Sequence, residues 1–137
     1  MAIQKCVVAV PARLQSSRLP NKVLAEIGGK PMIQRVLERC RESTAVDTVV
    51  LCTDSQELQQ RAEAWGFPVL MTAESCSSGS ERIASVADAL MALAWGDATP
   101  AADQTAVINV QGDQPFIDPQ VIDAMAAEFR RLDPVPA

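Results

Sequence analysis

The chain has 137 residues, 48% hydrophobic and 21% charged, an ordinary composition for a folded domain. That length is enough for one domain, 1–137, that buries about two-thirds of its unfolded surface. Seventeen acidic against twelve basic side chains leave a net charge of −5, which argues against broad nucleic-acid binding, so any positive site must be local.

The N-terminus, "MAIQKCVVAVPAR", has too short an apolar run for a signal peptide and no small-residue cleavage site. No uncharged apolar run approaches the ~18 residues of a membrane span, so no membrane partner and a cytoplasmic location are expected. "KCVVAVP" is a β-branched run that predicts a buried strand. After the loop that follows it, "KPMIQRVLERCRES" places Met32, Ile33, Val36, Leu37 and Cys40 on one stripe, an amphipathic helix with Pro31 in its first turn. "VDTVVLCT" predicts a second strand. It leads into a helix over "DSQELQQRAEAWG", with Asp54 as cap, Glu57 at the capping-box position and Gly66 as terminator.

"FPVLM" predicts a third, weaker strand, and "TAESCSSGS" a polar loop. "ERIASVADALMALAWG" is apolar nearly all round, which predicts one well-buried helix. "QTAVINV" predicts a fourth strand ending at "QGDQP". Asp118 and Pro119 then cap and open a last helix, "PQVIDAMAAEFRRL". The four cysteines are irregularly spaced and the chain has no histidine, so zinc binding is not expected and the thiols read as free.

Strands that are continuous apolar runs, alternating with helices, predict an α/β fold: a parallel sheet with helices on both faces, three layers in all. Right-handed crossovers put every strand-to-helix loop on the carboxyl edge, where such folds bind ligands. The loop "AVPARLQSSRLPNKVL" holds Arg13, Arg18 and Lys22 with Ser16 and Ser17 between them. Either it is a solvated connection that balances an acidic chain, or its cations surround a polyphosphate, with arginine bidentate and lysine a point charge. It is neither a Walker loop nor a G-x-G-x-x-G fingerprint. "VINVQGDQPFID" favours a ligand: Asn109 is polar inside a strand, Gly112 would let the backbone approach a ligand, and Asp113 at the strand tip can hold Mg²⁺ beside phosphates. Taken alone, Asp113 and Pro115 read as a turn.

"PARLQSSRLPNKVL", "GGKPMIQRVLER", "CTD", "SGSERI" and "VINVQGDQPFI" resemble, in order and spacing, the 3-deoxy-manno-octulosonate (Kdo) cytidylyltransferases, or CMP-Kdo synthetases. The first motif is shared with related sugar nucleotidyltransferases, including the N-acylneuraminate cytidylyltransferases; "SGSER" with "VQGDQP" selects the Kdo branch. The resemblance implies a Rossmann-like nucleotidyltransferase fold and the reaction of CTP with Kdo to give CMP-Kdo and pyrophosphate, with Mg²⁺, for lipopolysaccharide synthesis. It implies that Pro11, Ala12 and Arg13 meet the nucleotide and that Arg18 and Lys22 hold its triphosphate. The loop from Thr72 to Arg82, with Ser78 and Gly79, would line cytosine and ribose. Gln111 and Asp113 would stand at the reacting centre, Asp113 as metal ligand. Arg13, Lys22 and Asp113 would thus carry the catalysis.

The chain departs from the family pattern at Gln114, where Glu is usual, and at Cys76 and Ser80, where His and Thr are common. Family chains are homodimers of nearly twice this length. The resemblance therefore covers the nucleotide-binding half, without a second metal-binding aspartate, much of the sugar pocket or most of the dimer surface. The alternative expectations are a nucleotide-binding fragment without catalysis, or a related sugar nucleotidyltransferase such as an N-acylneuraminate cytidylyltransferase.

Overall fold

The computed structural model describes residues 3–14, 22–76, 78–96 and 104–131. Its centre is β1 (Lys5–Ala12), buried along nearly its whole length. It lies between β4 (Thr48–Thr53) and β6 (Thr105–Asn109), parallel to both, and β5 (Val69–Met71) extends the sheet beyond β4. Val7 is in register with Thr48 on one side and Val107 on the other. The strand order β5-β4-β1-β6 means that the chain winds outward from β1, then returns across the sheet to add β6 on the opposite side of β1.

Because side chains alternate along a strand, β1 feeds two separate cores. Cys6, Val8, Val10 and Ala12 join α1 (Met32–Arg41), α2 (Gln56–Ala64) and α5 (Pro119–Arg131) on one face. Val7 and Ala9, with Val50 and Cys52, meet Leu90 and Ala94 on the other. The α1 stripe forms as its sequence predicts: Ile33, Val36, Leu37 and Cys40 are fully buried, each large apolar chain contributing about 1.5–3 kcal/mol. Pro31 stands one position earlier than expected, as the N-cap residue.

Gly66 ends α2 at φ 91°, with its N–H bonded to the Glu63 carbonyl and the N–H of Phe67 to that of Ala62. This is the paired carbonyl satisfaction of a Schellman ending, and Phe67 is buried as its apolar partner.

Three expectations are corrected. The cap of α2 is Ser55, whose Oγ accepts from the Leu58 N–H at 3.2 Å, because β4 runs through Thr53 and the helix starts one residue later than a cap at 54 requires. Glu57 pairs instead with Arg61 one turn on. The stretch 79–95 is two helices, α3 (Gly79–Ser85) and α4 (Ala87–Trp95), broken where Val86 leaves helical geometry at φ −119°, ψ 22°. Nor is it buried all round: the sheet covers only one side, so Leu90 and Ala94 are buried while Leu93 stays 39% exposed. Between β1 and α1 lies a small antiparallel hairpin that the sequence pattern did not signal, β2 (Glu26–Ile27) with β3 (Lys30–Pro31). Its turn, Gly28–Gly29, has φ 61° and 87°, a pair of left-handed residues that glycine adopts without strain.

All four cysteines are free and buried. Burial pushes the Cys40 thiol up to about 12 and that of Cys52 up to about 11, the latter partly offset by the Arg82 guanidinium. Cys6 is raised as well, chiefly by burial. Thiolate is the nucleophile, so at pH 8 the folded chain should react with an aromatic disulfide reagent far more slowly than the chain in denaturant, which should show all four thiols. Equal rates in both states would contradict this packing.

Candidate nucleotide cleft

The strand order reverses direction at β1, and a crevice opens at the carboxyl ends of β1 and β6, the neighbouring strands on which the reversal turns. A cleft of about 360 Å³ lies there, within the range of small-molecule sites. Pro11, Ala12 and Arg13 line it from β1, Lys22 and Val23 from a 3-10 turn (Lys22–Leu24), Cys76, Ser78, Gly79 and Arg82 from the α3 side, and Gln111, Gly112 and Asp113 from the end of β6.

Each wall has a local cause. Val23 is buried in the core and anchors the turn, which leaves the neighbouring Lys22 ammonium at the rim. That ammonium donates to Asp113 Oδ2 at 3.2 Å, although 91 residues separate the two. Both side chains are more than 40% exposed, so the pair is worth about 0–1 kcal/mol and yields readily to a stronger ligand. Asn109, polar within its strand, supports the cleft wall: its Oδ1 accepts from Gln111 Nε2 at 3.1 Å and steadies that amide. The Gln114 side-chain oxygen accepts the Gln111 N–H, folding the loop back on itself.

Gly112 lines the cleft and also has a packing reason for its small size. It is buried, and a Cβ there would stand 3.0 Å from Ala12 Cβ, 3.2 Å from Ile33 Cδ1 and 3.2 Å from the Pro11 carbonyl oxygen. The glycine lets the β6 loop lie on the end of β1 and on α1. Gly79 does the same across the cleft, where a Cβ would press on Pro11 at 2.9 Å and on the Gln111 amide at 3.3 Å. Ser78 caps α3, its Oγ accepting from the Glu81 N–H at 3.0 Å, in an S-x-x-E capping arrangement.

Arg13, Lys22 and Asp113, the three side chains expected to carry the chemistry, thus share one cleft. Arg18, with Ser16 and Ser17, lies outside the described residues. Thr72 does not line the cleft: its hydroxyl accepts from Arg82, which is itself only 3% exposed. Val23 lines it without having been named for it, while Cys76 falls within the loop expected to line it and Gly112 beside the strand tip expected to meet a ligand. The apolar Val23-Leu24 pair beside Lys22 was the available signal for Val23.

The charges divide the surroundings. Three cations line the cleft against one carboxylate, that of Asp113, in a chain of net charge −5. A neighbouring hollow of about 400 Å³ shares Arg13 but is otherwise lined by Leu14, Asp54, Ser55 and Glu74, whose carboxylates repel phosphate. Arg13 stands on the ridge between them, so an anion held by it is directed toward Lys22. No group of three or more potential metal ligands occurs among the described residues. Asp113 offers a single carboxylate of hard oxygen donors, which suits an ion that keeps most of its ligands from water and phosphate.

Residues 7–134 match the cytidylyltransferase family model. The chain is 44% identical over 119 residues to the 3-deoxy-manno-octulosonate cytidylyltransferase of Francisella tularensis subsp. novicida, a match covering 87% of this chain and 44% of that one. A solved CMP:2-keto-3-deoxy-manno-octonic acid synthetase complexed with CTP superposes with a TM-score of 0.83 at 35% identity, over 97% of this chain and 50% of the other. A cytidylyltransferase from Leptospira borgpetersenii shares the fold, with a TM-score of 0.67 at 21% identity over 91% of this chain and 48% of that one. The chain therefore spans about half the length of the relatives it matches. The match across nearly its whole length, on an α/β sheet whose crevice is lined by the motif residues, establishes that this chain belongs to the cytidylyltransferase family.

Proposed function

We propose that this chain is the nucleotide-binding part of a CMP-Kdo synthetase, a nucleotidyltransferase that joins CTP and Kdo to give CMP-Kdo and pyrophosphate for lipopolysaccharide synthesis in the cytoplasm. The observation that carries the proposal is the meeting of Arg13, Lys22 and Asp113 in one cleft at the reversal of strand order. The named relative and the CTP-bound neighbour support the choice of nucleotide and sugar.

In the reaction the anomeric hydroxyl oxygen of the sugar forms a bond to the α-phosphorus of CTP. The bond from that phosphorus to the bridging oxygen breaks, pyrophosphate leaves with the electron pair, and the hydroxyl proton is lost. Arg13 and Lys22 hold and neutralise the phosphates, so that the charge growing on the leaving group meets cations already in place. Asp113 fits Mg²⁺: a half-exposed carboxylate 3.2 Å from the ammonium that faces the phosphates can exchange that ammonium for a metal arriving with the nucleotide. Bound there, Mg²⁺ would supply further charge neutralisation at the phosphates. Gln111 and the backbone at Pro11 and Ala12 orient the nucleotide, and Ser78 and Gly79 form the wall on the nucleoside side.

This chain alone is expected to bind without turning over, since positioning of the attacking hydroxyl falls to parts of the relatives that it does not match. A catalytically silent nucleotide-binding module is the second reading, favoured by that same half-length coverage. Dimerisation with a second copy belongs to the proposal for the full-length enzyme.

Calorimetric titration with CTP, UTP, GTP and ATP, with and without Mg²⁺, tests the nucleotide. CTP should bind tightest, with a gain from Mg²⁺ that Asp113→Asn removes. No base preference, or a Mg²⁺ gain that survives Asp113→Asn, would reject the assignment. Pyrophosphate release with CTP, Kdo and Mg²⁺ at the rate of a full-length relative would show that the unmatched half is not required.

A further inference from the structure

Arg82 is the most deeply buried charged side chain at the cleft, 3% exposed, and the chemical step makes no use of it. A guanidinium cannot leave water without partners; unpaired burial costs several kcal/mol. Its partners come from two neighbouring strand ends. Nη1 donates to the Thr72 hydroxyl and, at 3.3 Å, to the Ala73 carbonyl, both just beyond β5. The same nitrogen lies 3.9 Å from Asp54 Oδ2, just beyond β4, and Asp54 is itself mostly buried. The β5 end is tied to β4 as well, through the Thr72 N–H on the Thr53 carbonyl. On the same short helix, one turn before Arg82, Gly79 lies so close to Pro11 at the end of β1 and to Gln111 beyond β6 that a Cβ there would stand 2.9 Å and 3.3 Å from them. A single helical turn thus connects all four strand ends: Arg82 holds two of them and Gly79 rests on the other two.

We infer that Arg82 is a positioning residue: through Thr72, Ala73 and Asp54 it locks the first turn of α3 in place, and so sets where Ser78 and Gly79 stand on the nucleoside side of the cleft. The inference rests on the CTP-binding proposal and deepens it. It also gives Asp54 a role other than helix capping, which Ser55 fills. Lysine is a poor substitute, because its ammonium sits one bond short of Nη1, the single nitrogen on which the acceptors from both strand ends converge.

A double-mutant cycle in CTP affinity, read by calorimetry on the whole chain, tests this. Arg82→Lys should weaken CTP binding by about tenfold and Thr72→Val by several-fold, and Thr72→Ser should restore affinity. The double variant Arg82→Lys/Thr72→Val should bind no worse than Arg82→Lys alone, since both cut one brace. Inorganic tripolyphosphate, which needs Arg13 and Lys22 and not the nucleoside wall, should bind all variants as it binds the parent chain; a merely structural defect would weaken both ligands together.

If Arg82→Lys does not fold, the pair Thr72→Val and Asp54→Asn decides, with sub-additive losses again expected. The inference is overturned if Arg82→Lys weakens CTP while Thr72→Val and Asp54→Asn do not, the result of direct contact between Arg82 and nucleotide. Additive losses, or equal losses for tripolyphosphate, overturn it too. Failure of the parent chain to bind CTP would instead reject the nucleotide assignment.

Discussion

Replacing Arg13 and Lys22 together by alanine is expected to weaken CTP binding by at least about 100-fold, the loss of two charge-assisted contacts to phosphate at roughly 1.5–3 kcal/mol each. The stability of the fold should hardly change. Arg13 is exposed, and the ion pair of Lys22 with Asp113 is a surface pair of small value. The change in affinity therefore reports on the ligand and not on folding. Lys22→Ala alone should be the milder lesion, because it also frees Asp113 from its ammonium partner. In the parent chain affinity should fall as salt rises, and the slope should flatten in the double variant. Calorimetry at two ionic strengths with a melting curve on each variant measures all of this. CTP affinity that survives both substitutions would place the triphosphate elsewhere.

Gly112→Val should be the most damaging single change at the cleft for the fold itself. Even a Cβ at this position comes within 3.0 Å of Ala12 and 3.2 Å of both Ile33 and the Pro11 carbonyl oxygen. None of these can retreat cheaply: Pro11 and Ala12 belong to the central strand and are both paired with β4, and Ile33 is fully buried on α1. Valine adds two further methyl groups to that space. Overpacking of this kind costs about 3 kcal/mol, a fall in melting temperature of roughly 10 °C for a domain this size. Asp113 is the next residue, so relief of the clash by shifting the loop should also displace its carboxylate and blunt the Mg²⁺ gain in CTP binding. Gly112→Ala should show the same pattern at smaller amplitude. A valine variant that melted normally and failed only to bind would mean that the glycine faces the ligand and not the core.

The elements that were legible in the sequence are those whose signal is strong and local. The β-branched runs became β1, β4 and β6; the stripe of Ile33, Val36, Leu37 and Cys40 became the buried face of α1; Gly66 ended α2. The misjudged features depend on neighbours. Asp54 and Ser55 are both good caps, and the choice fell to Ser55 because β4 held Asp54 within reach of Arg82. An alanine-rich, apolar stretch predicts a helix buried on every side, yet α4 has a sheet on one side only and keeps Leu93 in solvent. The Gly28–Gly29 hairpin is made of two-residue strands, too short for periodicity to mark.

At the cleft the same division holds. Arg13, Lys22, Gln111 and Asp113 were named from the sequence, because cations after one strand and a carboxylate after another are odd for loops that only turn. That Thr72 and Arg82 bind each other, and that Gly112 packs on Ile33, required coordinates.

The sequence by itself determined the alternation of strands and helices, the parallel sheet and the placing of every motif loop on one edge, because hydrophobic periodicity and crossover handedness are properties of the chain read in order. Only the tertiary structure decided that β6 lies beside β1 and not beyond β5, and so brings residue 113 to residue 22. Strand order is fixed by which apolar faces pack against which, a sum over contacts between distant residues that no local stretch contains.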